Sequence, residues 1–167
     1  MLVYIGIDNG VTGSIAMLDS DTSLTNETRL FYMPVRKEQS YTKAKAQITR
    51  IDFAALYDVF YDNIYGSCRV FIERPYVNPK GFKATASALR ALEATLIVIE
   101  YLGFPYQYVD SREWQKLLLP KGLKGAELKH ASKDIGIRLF PHMKTEIEKQ
   151  KDADALLIAE WARRSNL

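Results

Sequence analysis

Three carboxylates in this 167-residue chain stand where apolar elements end or begin. Asp8 closes "LVYIGID", Glu73 closes "RVFIE", and Asp154 lies at the start of "ADALLIAEW". A carboxylate beside an apolar run is costly unless it is paired, hydrogen-bonded or neutralised by a cation. If the strands ending on Asp8 and Glu73 are parallel neighbours, both side chains emerge at one sheet edge and repel each other. A hard divalent cation with oxygen ligands relieves that repulsion. One acid at a strand end carries little information. Three, in a chain with basic segments nearby, fit a two-metal phosphoryl-transfer site. Asp154 taken alone reads equally well as an acid favoured by a helix N-terminus.

The elements that must position these groups follow from periodicity and turn residues. The runs "LVYIGID" and "GSIAML" flank "NGVTG" and read as antiparallel neighbours whose turn exposes Asp8. Gly10 and Gly13 in that turn would let backbone pass close to a phosphate or metal, because no Cβ intrudes. Residues 27–35 predict a third strand, with Pro34 closing it at a sheet edge. Residues 36–50 read as a polar, basic, mobile loop. Asp52 is placed to cap a helix over 53–65 whose Leu56, Val59, Phe60 and Ile64 form an apolar stripe, with Gly66 ending it. The run 69–73 is a short buried strand, and two prolines and a glycine in "RPYVNPKGF" then forbid regular continuation. Leu89, Leu92, Leu96 and Ile99 give helical spacing over 84–102, and 105–110 reads as another strand. Asp110 and Glu113 have the spacing of a capping box for a helix over 111–119. Further helices are predicted over 125–139, halted by Pro141, and over 152–164. Strands first, then alternating strands and helices, predict a single α/β domain over 1–167: a mixed sheet with helices on its faces.

Composition sets the outer bounds. An apolar fraction of 47% with 11% aromatic residues excludes a disordered chain. No run of apolar residues is long enough to span a membrane, and no basic leader precedes a cleavable segment, so a cytoplasmic protein is expected. Cys68 is the only cysteine, which rules out an internal disulfide and a cysteine-rich zinc site. The net charge of +3 is modest, but it is segregated. Residues 74–90 hold Arg74, Lys80, Lys83 and Arg90 with no acid, and 36–50 hold five cations against Glu38 alone. Such segregation suits a polyanion better than an evenly mixed surface does, although ordinary basic helix faces give the same pattern.

With these residues in place, the chain resembles a known family. "GIDNGVTGSIA" (6–16), "VFIERPYV" (70–77) and "KDADALLIAEW" (151–161) resemble, in order and spacing, the three acidic motifs of RuvC-type Holliday-junction resolvases. "VDSREWQKLLL" and the later "FP" are similar to phage and bacterial members. The resemblance implies a ribonuclease-H-like fold, a homodimer, and magnesium-dependent nicking of branched DNA, with manganese able to substitute. It implies that Asp8 bridges two ions, Glu73 ligates one, and Asp154 completes the set. Members usually carry an acid or histidine three residues before the last aspartate, where this chain has Lys151. Asp152 lies two residues before it, and residues two apart point to opposite sides of a helix. Asp152 therefore reaches the metals only if it lies at the cap, and Lys151 has the alternative role of facing the scissile phosphate. The resemblance also makes Tyr76 a wedge at the junction centre, with Phe82 as second candidate; either ring would otherwise pack into the core. Aromatic faces stack on unpaired bases while lysines such as Lys80 and Lys83 follow phosphates. Lys121, Lys124 and Lys129 are offered to the flanking duplex arms. The helix over 84–102 is apolar on several sides, which fits either burial or a twofold axis.

Two other function classes compete. An actin- or sugar-kinase-like phosphotransferase also begins with a strand, an aspartate and a glycine turn, but needs two lobes and a second phosphate loop. A non-catalytic DNA-binding module gains nothing from three central carboxylates. His130 and His142 have no partner nucleophile in sequence, which disfavours serine or cysteine chemistry.

Overall fold

The computed structural model describes residues 2–20, 28–43 and 45–167. Its centre is a five-stranded mixed sheet in the order β3-β2-β1-β6-β7. Strands β1 (Leu2–Asp8), β2 (Ser14–Asp19) and β3 (Arg29–Tyr32) form an antiparallel meander. β6 (Ser67–Glu73) and β7 (Tyr106–Val109) extend the sheet in parallel from β1. The central strand β1 is buried on both faces, as the near-continuous apolar run requires of an inner strand with parallel pairing. Its odd positions Val3, Ile5 and Ile7 share one cluster with Leu56 and Phe60 of α1 (Phe53–Tyr61) and Val98 and Ile99 of α2 (Phe82–Tyr101). On the opposite face Tyr4, Phe71, Ala16 and Leu18 pack with Trp114 of α3 (Ser111–Leu118), Ile135 of α4 (Gly125–Leu139), and Leu157 and Trp161 of α6 (Asp154–Arg164). The result is a mixed sheet with helices on both faces.

α6 lies against β1 and β2, and one glycine permits that approach. A Cβ on Gly6 would stand 2.1 Å from the Ala155 carbonyl oxygen and 2.6 Å from the Ala159 nitrogen. Gly6 and Asp8 are two apart on one strand, so Asp8 faces the same side, toward the start of α6.

Several expectations are corrected. Residues 36–50 are not an irregular loop: β4 (Val35–Gln39) and β5 (Gln47–Ile51) form a hairpin outside the main sheet. Glu38 of β4 accepts from Arg50 of β5 at 2.5 Å and from Arg36 of its own strand at 2.7 Å, and the cross-strand member of that pair is not visible in composition. Asp52 does cap α1, accepting the Ala55 N–H at 3.3 Å. That helix ends at Tyr61, however, and Gly66, at φ 114°, turns the chain just before β6. Asp110 makes no side-chain cap bond; its carboxylate goes instead to Arg74, 3.1 Å away. α2 begins at Phe82 and α6 at Asp154, each two residues later or earlier than periodicity predicts. After Pro141 the chain adds a 3-10 turn (Pro141–Met143) and α5 (Lys144–Lys149), neither of them foreseen. Residue 27, at the start of the predicted third strand, lies outside the described residues. Cys68 is buried, and burial pushes its thiol up to about 11, where it is inert. No helix among the described residues is long and apolar enough to cross a membrane.

Candidate active site

The β1–β6 register sets the first two acids. Ile7 lies opposite Ile72, so Asp8 and Glu73 occupy the next rung, at the carboxyl edge of adjacent parallel strands. Phe71 and Glu73 share the face that Asp8 shares with Gly6, the face covered by α3 and α6. Gly13 serves the turn itself: a Cβ there would lie 1.9 Å from the carbonyl oxygen of Asp8. Gly10 adopts φ 132°, a backbone state that suits glycine. Both glycines therefore shape the turn that presents Asp8.

The last two acids come from the start of α6. Asp152 lies outside the helix, one residue before the N-cap Ala153, and its Oδ1 accepts the Asp154 N–H at 3.3 Å. Asp152 is buried and Asp154 half-buried. Ser132 of α4 clamps this corner: its Oγ donates to Asp154 Oδ1 at 2.5 Å and accepts the Ala153 N–H at 3.1 Å. On the other side the Trp114 Nε1–H donates to Glu73 Oε1 at 3.1 Å. Trp114 and Ser132 are functional positions that the sequence reading missed. Periodicity marks both as ordinary helix residues, and only the packing of α3 and α4 turns them toward the acids. Gly6 was missed too, although a glycine inside a buried strand signals close backbone approach.

The electrostatics agree that the four acids form one cluster. Glu73 is pushed up to about 8, first by burial and then by the charge of Asp8, against the Trp114 hydrogen bond, with Asp154 and Asp152 adding to the rise. Asp154 is pushed up to about 7 by burial and by Asp152, against Ser132. Asp8 is buried and raised by that burial, despite Lys151 beside it. The Lys151 Nζ lies 2.8 Å from Asp8 Oδ2 and 3.8 Å from Asp152 Oδ2. Burial acts against the lysine's charge, but Asp8, Asp152 and Asp154 outweigh it and raise Lys151 above the ordinary lysine value. The position that departs from the resemblance thus holds the cluster's own cation. Lys129 of α4 also lowers Asp8 by its charge, the smallest of the influences on it.

Four carboxylates gathered at one corner, with Asp8, Glu73 and Asp154 raised by burial and by neighbouring acids, make a donor set suited to a hard divalent ion. Among the described residues no three acidic or histidine side chains are already drawn to mutual ligating distance. The Lys151 ammonium instead stands against Asp8. His130 pairs with Asp134 at 3.4 Å on the exposed side of α4, and neither histidine enters the cluster.

The loop after Glu73 is open to solvent. Tyr76 is 84% exposed and Phe82 79% exposed, so neither ring packs into the core. Asn78 organises the loop by accepting the Lys80 N–H at 3.0 Å and exchanging hydrogen bonds with Thr85. Lys80 and Lys83 project from it, and Lys121, Lys124 and Lys129 are likewise exposed. Arg74 is engaged by Asp110 and the Tyr108 ring.

Comparison with known proteins supports the architecture. No family model matches the chain, and no curated protein matches it significantly. Solved structures do. A structure of Thermus thermophilus RuvC in complex with Holliday junction substrate superposes with a TM-score of 0.60, covering 99% of this chain and 96% of that one at 16% identity. A second T. thermophilus RuvC structure gives a TM-score of 0.51 over 98% and 96% at 17% identity. The chain has the ribonuclease-H-like fold of those proteins.

Proposed function

We propose that the chain is a divalent-metal-dependent, structure-selective endonuclease of branched DNA, acting on four-way junctions as a homodimer. The observation that carries this reading is the convergence of Asp8, Glu73, Asp152 and Asp154 at one edge of the sheet, in a fold shared with a protein solved on a Holliday junction. Asp8, Glu73, Asp152 and Asp154 would hold magnesium, or manganese in its place. A divalent ion bound there supplies Lewis-acid activation of water and stabilisation of the departing oxygen.

The chain's own groups do the rest. Trp114 holds the Glu73 carboxylate in one orientation, and Ser132 fixes Asp154. Lys151 neutralises Asp8 and lies at the rim, where a scissile phosphate would meet a positive charge. Tyr76 and Phe82 offer exposed rings for unpaired bases at a branch point, and Lys80 and Lys83 follow the adjacent backbone. Lys121 and Lys124 serve the duplex arms. The dimer is supported by the outer surface of α1 and α2. Phe53, Tyr61 and Tyr101 are exposed there and pack with Tyr57 into a ring cluster with centroids 5.4–6.5 Å apart. An exposed aromatic cluster of this kind suits an interface.

The test is a panel of labelled four-way, three-way, flap and linear DNAs with magnesium, manganese or chelator. Metal-dependent cuts confined to branched substrates are expected, and Asp8→Asn should bind a junction without cutting it. Wild-type cleavage by that variant, or equal cutting of linear duplex, refutes the assignment.

A further inference from the structure

A cleft of about 220 Å³ opens between the β4–β5 hairpin and α2, outside the acidic cluster. Val11, in the turn that follows Asp8, forms one wall, and Ile97 and Ala94 of α2 line another. Two arginines from different elements meet at it. Arg50 of β5 and Arg90 of α2 each place their guanidinium carbon 5.4 Å from the centre of the Tyr41 ring. Arg50 is held by Glu38. Arg90 has no ion pair among the described residues, and its Nε is buried without a hydrogen-bond partner. Glu93 lines the cleft but makes no ion pair with either arginine. Lys37, Lys43 and Lys45 are exposed on the same hairpin and add positive charge around the cleft.

Two guanidiniums drawn to one ring repel each other, and a buried unpaired N–H is costly. An anion seated in the cleft that accepts from the terminal nitrogens of Arg90 relieves the repulsion. A phosphate diester matches: it accepts from planar guanidinium donors, and its sugar can lie on the apolar walls. We propose that this cleft is a second nucleic-acid subsite, which binds one backbone phosphate of the DNA strand as it leaves the acidic cluster past Val11. The hairpin is thereby a binding element that Arg90 and Tyr41 lock against α2. This inference rests on the endonuclease reading for its ligand class.

The experiment measures junction affinity of the Asp8→Asn chain by fluorescence anisotropy across a salt series, with and without Arg90→Gln. Removal of one phosphate contact should weaken binding roughly tenfold and reduce the salt slope by about one. A series of junctions carrying a single neutral methylphosphonate at successive positions near the cut site then locates the contact. One position should weaken binding to the otherwise unaltered chain and become silent in Arg90→Gln. A melting curve reports whether the variant folds; if it does not, Arg90→Lys, which keeps the charge but loses the fork, should weaken binding with the salt slope unchanged and shrink the methylphosphonate effect at that one position. Unchanged affinity and slope, or methylphosphonate effects that are additive with the substitution at every position, overturn the subsite. If the wild-type chain still cuts junctions in that event, only the subsite falls. If the Asp8→Asn chain shows no salt-dependent DNA binding at all, both readings fall together.

Discussion

Raising the pH should destabilise the metal-free protein across a range where most proteins are indifferent. Glu73 titrates at about 8 in the fold against an ordinary value of 4.5, and Asp154 at about 7 against 3.8. A carboxyl raised in this way binds its proton more tightly in the native state than in the unfolded one. Between the two values the native state holds more protons, so stability falls as pH rises and then levels off above pH about 8. Each unit of separation is worth about 1.4 kcal/mol, which gives Glu73 alone a ceiling of roughly 5 kcal/mol. Both groups keep some contact with solvent and each feels the other's charge, so the pair together should cost on the order of 3–5 kcal/mol. In a domain of this length that lowers the melting temperature by roughly 10 °C between about pH 5.5 and about pH 8.5 in chelator. Thermal unfolding followed by circular dichroism reads it directly. Glu73→Gln should flatten much of the slope, and millimolar magnesium should stabilise more at the alkaline end, where no proton has to be displaced. A melting temperature that is flat or rising over that interval in chelator would refute the clustering of acids on which the site depends.

Lys151→Met should lower metal-free stability by about 1–3 kcal/mol, since it leaves the Asp8 carboxylate buried without its cation. Calorimetry should show tighter magnesium binding to this variant, because no ammonium competes for Asp8; weaker binding would show instead that Lys151 assists the ion. Trp114→Phe keeps an aromatic ring in the core, though a smaller one, and removes the donor to Glu73. Glu73 should then titrate still higher, and the acidic limb of the cleavage pH profile should move upward by up to about one pH unit. Gly6→Ala forces a methyl into the Ala155 carbonyl and should cost about 3 kcal/mol or more in urea unfolding, with cleavage lost as α6 shifts. Ser132→Ala should cost about 1–3 kcal/mol and raise Asp154 further, read as a steeper loss of stability toward neutral pH.

What could be read in the sequence was whatever period and polarity encode locally. The β1–β2 hairpin, the buried β6 and the helix over Gly125–Leu139 follow from apolar spacing and turn residues, and with them the placement of Asp8 and Glu73 at strand ends. The β4–β5 hairpin was not legible, because Glu38, Arg36 and Arg50 are evidence of pairing only once their register is known. Asp110 misled for a related reason. Its spacing to Glu113 suits a capping box, but Arg74, arriving from the end of β6, is the better partner. Trp114 and Ser132 lay beyond reach because their roles come from long-range packing, 41 and 22 residues away from the acids they hold.

The chain itself offers a control for reading the acidic cluster as chemistry rather than architecture. Glu160 of α6 is buried like Asp8, yet Arg163 and Arg164 close on its two oxygens at 2.5 and 2.6 Å. That is how this fold neutralises a carboxylate it keeps for structure: one acid, two guanidiniums, each within a turn of the same helix. At the carboxyl edge of β1 and β6 the ratio is inverted. Among the described residues four acids share one direct ammonium and no arginine closes on them, while burial and mutual repulsion push Glu73 up to about 8 and Asp154 up to about 7. Apolar residues of similar size would make that corner more stable. A protein that only bound DNA phosphates would also bind them better without negative charge at the centre. A multiply charged cation entering that corner would relieve the repulsion that a single ammonium leaves, and the proposed endonuclease asks the same of its site.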